Sequence, residues 1–339
     1  RDSLSSAVVL PGRGYIFVGA ARPGDEKKYW DMLRLKMTTG GQVIAFTSDR
    51  DDGEGDIFVL AVPDSADQAV PDPQRLTDDP AYDAWPTWSP DGSQIAFMST
   101  RSGNPDLYVM DAGGGNLRQL TDHPANDIWP EWSPDGTRIA FPSRRDGNFE
   151  LYIVNPDGTN LQRLTNTPGH EDFPAWSPDG TRLVYTRSEG DNGTFLMTVP
   201  EGTGAGQGPA NERRLLDFVA FEPAWSPDGT QIAFASDHEG FRAIYVMDVD
   251  SAERGSPNLQ KLSTTSAGEN CPTWSPDGTR IAFASWRCGN GEIYVMDAGG
   301  GNLQRLTNNR FEDEFPAWRP GASSPEVGDE SEPATVTYG

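Results

Sequence analysis

The sequence predicts an all-β fold: a six-bladed β-propeller of four-stranded antiparallel blades, with N- and C-terminal extensions. Three observations carry this. The motif WSPDG recurs at Trp88, Trp132, Trp176, Trp225 and Trp274, and a decayed copy beginning at Trp318 closes the series. The spacings are 44, 44, 49, 49 and 44 residues, the signature of one supersecondary unit stacked repeatedly. Within each period, four short β-prone runs alternate with clusters of Gly, Pro, Asn and Asp, which reads as an antiparallel meander.

Residues 270–307 serve as the type unit. NCPTW is strand A and runs into the WSPDG turn. RIAFAS is strand B, IYVMD strand C and LQRLT strand D, separated by the turns RCGNGE and AGGGN. Strand B recurs at Ile44, Ile95, Ile139, Leu183, Ile232 and Ile281. Strand C recurs near Phe58, Tyr108, Tyr152, Leu196, Tyr245 and Tyr294, and strand D near Leu76, Leu120, Leu164, Leu215, Leu262 and Leu306. The propeller therefore spans 41–320 and the chain enters it at a strand B. The final run Phe315–Trp318 supplies the missing strand A beside Gln42–Ser48 and closes the ring. Residues 1–40 form an N-terminal extension with unassigned β segments, and 321–339 an acidic, Pro- and Ser-rich tail with one short β segment.

The runs WSPDGxxIAFxS, IYVMDxxGGN and LT resemble the TolB-type propeller, a relative of the WD-type repeats, over roughly 41–320. That resemblance implies a periplasmic, protein-binding propeller. TolB carries an α/β domain ahead of its propeller where this sequence has 40 residues, which argues against a Tol-system role. Prolyl-oligopeptidase-like enzymes share such repeats but add a hydrolase domain; no GxSxG nucleophile elbow occurs here.

Net charge is −24, which disfavours nucleic acid as a partner. Residues 1–40 hold seven Lys/Arg against four Asp/Glu, so a basic arm precedes an acidic body. No apolar run is long enough for a transmembrane helix.

Strand A starts, strand B ends, strand C starts and strand D ends share one face of the ring, the top. Near the start of strand A stand Asp83, Asp127, Glu171, Glu269 and Asp313, with Ala220 at the sixth position. Five carboxylates around a channel mouth are candidate Ca²⁺ ligands or a surface for a basic partner loop; alternatively each caps its own turn. Arg50, Arg101, Arg145 and Arg287 follow strand B, and Asp56, Asp106, Glu150 and Glu292 open strand C in the same blades. The two blades with Glu189 and His238 in place of the Arg carry Thr194 and Ala243 in place of the acid, which predicts an ion pair between these two positions. The acid-rich turn Asp49–Asp56 lacks EF-hand spacing and reads as a solvated turn. His123, His170 and His238 come from different blades without shared spacing. Asn192 opens a glycosylation sequon.

Cys271 opens strand A and Cys288 lies in the B–C turn of the same blade, which predicts a disulfide and an exported protein. Leu33, Leu35 and Met37 resemble a surplus strand A. With Tyr15, Ile16 and Val18 upstream, and Val336 and Tyr338 in the tail, they are candidate strands for pairing with another copy. Three functional expectations follow. The first is a secreted, non-enzymatic propeller that self-assembles through its terminal strands into a fibre or surface array, needing no cofactor. The second is a TolB-like periplasmic protein-binding propeller. The third is a propeller lyase or hydrolase.

Overall fold

The computed structural model describes residues 42–50, 54–63, 68–200 and 210–321. Their strands form six four-stranded antiparallel sheets, the six expected blades. In the first blade the last strand of the described residues, Asp313–Trp318, lies innermost, beside Val43–Ser48, Asp56–Ala61 and Gln74–Arg75 in that order. Across this seam Ile44 pairs with Trp318 and Ala45 with Ala317. The ring is thus closed by the two ends of the repeat array. Leu33–Met37, the other candidate for that slot, lies outside the described residues, as do Tyr15, Ile16, Val18, Val336 and Tyr338.

Strands B and C form the core because both of their faces are covered. Val43–Ser48 and Asp56–Ala61 are buried at every position. The apolar clusters lie between blades. Trp132, Ile139 and Phe141 of the third blade pack on Ala96, Met98 and Val109 of the second, for example. Each blade buries its faces only against its neighbours, so closure stabilises all six at once.

The WSPDG motif does two jobs. In its turn, the Ser89 hydroxyl donates to Asp91 Oδ1 at 2.6 Å and accepts the Gln94 N–H at 2.9 Å. Gly92 takes φ +65°, a conformation that favours glycine. The hydrogen bonds from Ser89 and Ser93 hold the Asp91 carboxyl below its usual range. The tryptophan staples blades together: Trp88, Trp176, Trp225, Trp274 and Trp318 each donate their indole N–H to a carbonyl on the innermost strand of the preceding blade, at 3.1–3.3 Å. The LT of strand D is equally structural. The hydroxyls of Thr77, Thr121, Thr165 and Thr307 accept strand C N–H groups at 2.8–3.0 Å.

One element was not expected. The extra residues of the fifth repeat form a short helix, Val249–Glu253, whose N-cap Asp248 accepts the Ser251 N–H.

Candidate functional site: the central channel

Six strand A segments line the channel, and each is bent at one place. Immediately before its proline, every one holds a non-glycine residue at positive φ: Trp85 (57°), Trp129 (46°), Phe173 (52°), Glu222 (48°), Cys271 (57°) and Phe315 (53°). The pairing register with strand B slips there in the first, second, fourth, fifth and sixth blades. In the third, strand A is reduced to an isolated bridge at Asp127 and the pair Glu131–Trp132. A bulge re-aims the side chain that carries it. Here it turns all six into the channel, which encloses about 450 Å³. Left-handed backbone at a bulky residue costs about 1–3 kcal/mol, and such strain concentrates at binding sites.

The six side chains are not alike. Phe315, Trp85, Trp129 and Phe173 form one continuous arc, with ring centroids 5.8, 5.0 and 4.2 Å apart in turn. Glu222 and Cys271 complete the ring. Glu222 accepts the Cys271 N–H at 3.0 Å, and burial raises the pKa of its carboxyl. Two residues further along each strand, Glu131 is the lone charged group at its level, with Thr87 Oγ1 donating to it at 3.2 Å. Burial pushes the Glu131 carboxyl up to about 7. Above the ring, Glu314 also rises to about 7, through burial and then the neighbouring Glu312, Glu222 and Asp49. Burial lifts Asp172 to about 6. No Lys or Arg lines the channel among the described residues. The indole N–H groups of Trp85 and Trp129 are buried and have no hydrogen-bond partner.

The top carboxylates behave differently from the cation site considered above. Asp83, Asp127, Glu171, Glu269 and Asp313 are fully buried. Each pairs with its own arginine: Arg101, Arg145, Arg187, Arg287 and Arg50. Among the described residues no three of His, Cys, Asp and Glu converge on a metal position. The partner expected for these arginines is corrected too. The arginine after strand B folds back across that strand, because the strand A acid sits directly opposite its last residue, as Asp83 does opposite Ser99. The strand C acids face the other way. Glu150 and Glu292 pair with Arg163 and Arg305 of strand D, Asp56 with Arg75, and Asp106 accepts from Ser102 and Gln119. A sequence signal for the true pairing exists: the fifth blade lacks both members, having Ala220 and His238, whereas the fourth keeps Glu171 and moves its arginine to Arg187.

The expected disulfide is not formed; both thiols are free. The bulge turns Cys271 into the channel, where burial and then Glu222 raise its thiol pKa. Cys288 stays exposed on its turn, 3.2 Å from the Tyr294 hydroxyl. The histidines are held apart from one another: His123 Nδ1 accepts from Ala125 in its own turn, His170 Nδ1 accepts from Phe149 of the preceding blade, and His238 stacks on Phe218 at 4.2 Å. Asn192 is exposed, and part of the Asp49–Asp56 turn lies outside the described residues. Sequence reasoning missed the channel ring altogether. Its signal was the residue before each strand A proline, aromatic in four repeats and Glu or Cys in two.

Fold and channel define a class, the propellers built from TolB-type repeats. The chain belongs to the TolB beta propeller domain family, which matches residues 38–126, 73–205 and 211–324. A TolB homolog of Chlorobium luteolum is 40% identical over 45 residues, 13% of this chain and 10% of that protein. Among solved structures, TolB from Acinetobacter baumannii matches at a TM-score of 0.65 with 21% identity, covering 91% of this chain and 75% of that one. A putative TolB from Agrobacterium tumefaciens matches at 0.60 with 22% identity, covering 81% and 90%. A chain of a nidogen/laminin complex matches at 0.63 with only 12% identity, covering 82% and 98%. Likeness at these identities establishes the fold, and propeller folds host unrelated activities. No helix among the described residues is long and apolar enough to cross a membrane.

Proposed function

We propose that the protein is a non-enzymatic protein-interaction module, periplasmic or extracellular, that receives an extended segment of a partner protein in its central channel. The observation that carries this reading is the aromatic arc. Four strained positions hold Phe315, Trp85, Trp129 and Phe173 against the open channel, and three tryptophans of its lining, Trp85, Trp129 and Trp132, have a buried indole N–H with no partner. An extended segment brings carbonyl acceptors along with apolar side chains. Aromatic residues dominate binding energy at protein interfaces. The test is site-specific photocrosslinking in the source cells, with the photoreactive residue at position 129 or at the exposed outer position Leu303. Cross-links to a protein from 129 and not from 303 support the reading. Cross-links from 303 alone overturn it.

The self-association expectation stands as a separate proposal, motivated by the terminal β-prone runs and the basic arm. Light scattering of the full chain against a variant lacking residues 1–32 decides it: only a larger species that disappears on deletion supports assembly. Calcium at the top carboxylates would have to displace an arginine from each of them. A fall in melting temperature on chelation would support such a cation, and indifference would leave the carboxylates as ion-pair partners. For the lyase or hydrolase reading, no three of His, Cys, Asp and Glu among the described residues come together as a metal site.

A further inference from the structure

The channel wall is divided by chemistry. One arc presents four aromatic rings, with Glu131 beneath Trp129 on the same strand, and the remainder presents Glu222 and Cys271. These are two recognition elements for the same kind of group. An aromatic face attracts a cation through its quadrupole, and a carboxylate attracts it through charge. Both act strongly where water is scarce.

The lining contains two carboxylates and no Lys or Arg. Buried carboxylates without a counter-charge are costly, and proteins relieve the cost by protonation or by pairing. The arginines around the channel are engaged with its outer walls: Arg138, Arg182, Arg280 and Arg319 lie over the rings of Trp176, Trp225, Trp318 and Trp88, and the charge of Arg242 only partly offsets the burial of Glu222. Arg242 lies 4.0 Å over the Phe221 ring and donates to Asn270 at 3.2 Å. Arg144 lies over Phe149 at 4.8 Å. The channel lining therefore offers two carboxylates and no cation of its own, at a place where rings and acids border the same space. The indole N–H groups of Trp85, Trp129 and Trp132 are buried donors of the lining without a partner, available to a carbonyl next to a cation.

We infer that the channel is specific for an organic cation, presented as a lysine or arginine side chain on the extended segment of the partner, seated against the Trp85–Trp129–Phe173 arc, with Glu222 on the remaining wall and Glu131 beneath Trp129. The inference rests on the protein-interaction reading above and adds to it the chemistry of the residue recognised.

The test uses the full chain and pools of fluorescent nonapeptides with a fixed central residue and flanks randomised over Ala, Ser, Thr and Pro. The central residue is lysine, arginine, norleucine or glutamate, and binding is read by fluorescence anisotropy. The lysine or arginine pool is expected to bind about tenfold tighter than the norleucine pool, the scale of a desolvated cation–aromatic contact. That preference should shrink severalfold in Glu222→Gln and Glu131→Gln, whereas Trp129→Leu should weaken every pool. Circular dichroism melting confirms that each variant is folded. Equal binding of the lysine and norleucine pools overturns the cation site while leaving the protein-interaction reading intact. Absence of binding by any pool at millimolar concentration overturns both. N-acetyl-lysine methylamide and spermidine form the last arm. If either free cation binds as tightly as the best peptide pool, the site recognises the cation by itself and the claim of a partner's side chain fails.

Discussion

The shell of the blades and the wall of the channel are made by the same six repeats, yet they follow opposite rules. In the shell a position keeps its residue from blade to blade. The turn Ser and Asp, the stapling Trp and the strand D Thr recur because most blades make the same hydrogen bonds; Trp132, whose indole N–H is unpaired, and Ser263 in the place of Thr are departures. In the channel one position holds Trp, Trp, Phe, Glu, Cys and Phe on an unchanging strained backbone. Constancy there belongs to the main chain, and the side chains are free to differ. The comparison teaches that in a repeat protein the fold is written in what recurs, and the candidate site in what departs from recurrence.

The largest effects should come from breaking the shell. Trp318→Ala removes a buried ring and a staple at the closing seam, and should destabilise by about 3–5 kcal/mol. Denaturant unfolding checks this, and a loss under 1 kcal/mol would show that closure does not depend on that seam. Arg145→Ala leaves Asp127 as an unpaired, fully buried carboxyl, and should cost about 3 kcal/mol. The double change Arg145→Met with Asp127→Leu should recover most of that, since neither charge then remains to be desolvated. Failure to recover would mean that the pair also fixes backbone geometry at the bridge.

A smaller effect with a definite sign should come from the channel. The Glu131 carboxyl has an ordinary value of 4.5 and is pushed up to about 7 in the folded protein. The folded state then binds more protons than the unfolded one between these values. Its contribution to stability is fully present below 4.5 and is lost as pH rises through about 7. Glu131→Gln should leave melting nearly unchanged near pH 4.5 and stabilise relative to the parent at pH 8, by on the order of 1–3 kcal/mol. A variant equally or less stable at pH 8 would contradict the burial of that charge. The smallest stability effect should be that of Trp129→Leu, about 1 kcal/mol, because its ring borders open space; its consequence should appear in binding.

Much of the shell was legible in the sequence. Period, strand order and closure all follow from the spacing of WSPDG and the single strand A run after Leu306. The candidate site was not legible, for a physical reason. Alternation along strand A predicts which residues face the channel only while the strand is regular, and the bulge before each proline breaks that alternation. The same bulge defeated the cysteine expectation, since it turns Cys271 inward and leaves Cys288 on the surface. The carboxylate expectation went astray differently. Asp83 and its equivalents were placed at the correct end of the correct strand, but sequence does not show which side of the hairpin an arginine returns to. The fifth blade has Ala220, His238 and Ala243 and is silent on the choice; only the fourth, which keeps Glu171 and an arginine at Arg187 but has Thr194 in place of the strand C acid, held that information.

Tryptophan itself offers the most direct measurement. Trp88, Trp176, Trp225, Trp274 and Trp318 spend their indole N–H on the fold, whereas Trp85 and Trp129, whose rings border the channel, and Trp132 have theirs buried and unpaired. Indole N–H resonances of the nitrogen-15-labelled chain, assigned by substitution, should be followed during titration with the tightest lysine-centred peptide pool. Shifts confined mainly to Trp85 and Trp129, saturating with the binding curve, are the result expected if the channel is the site. Binding that leaves these two resonances in place while others move would put the partner on another surface and contradict the account.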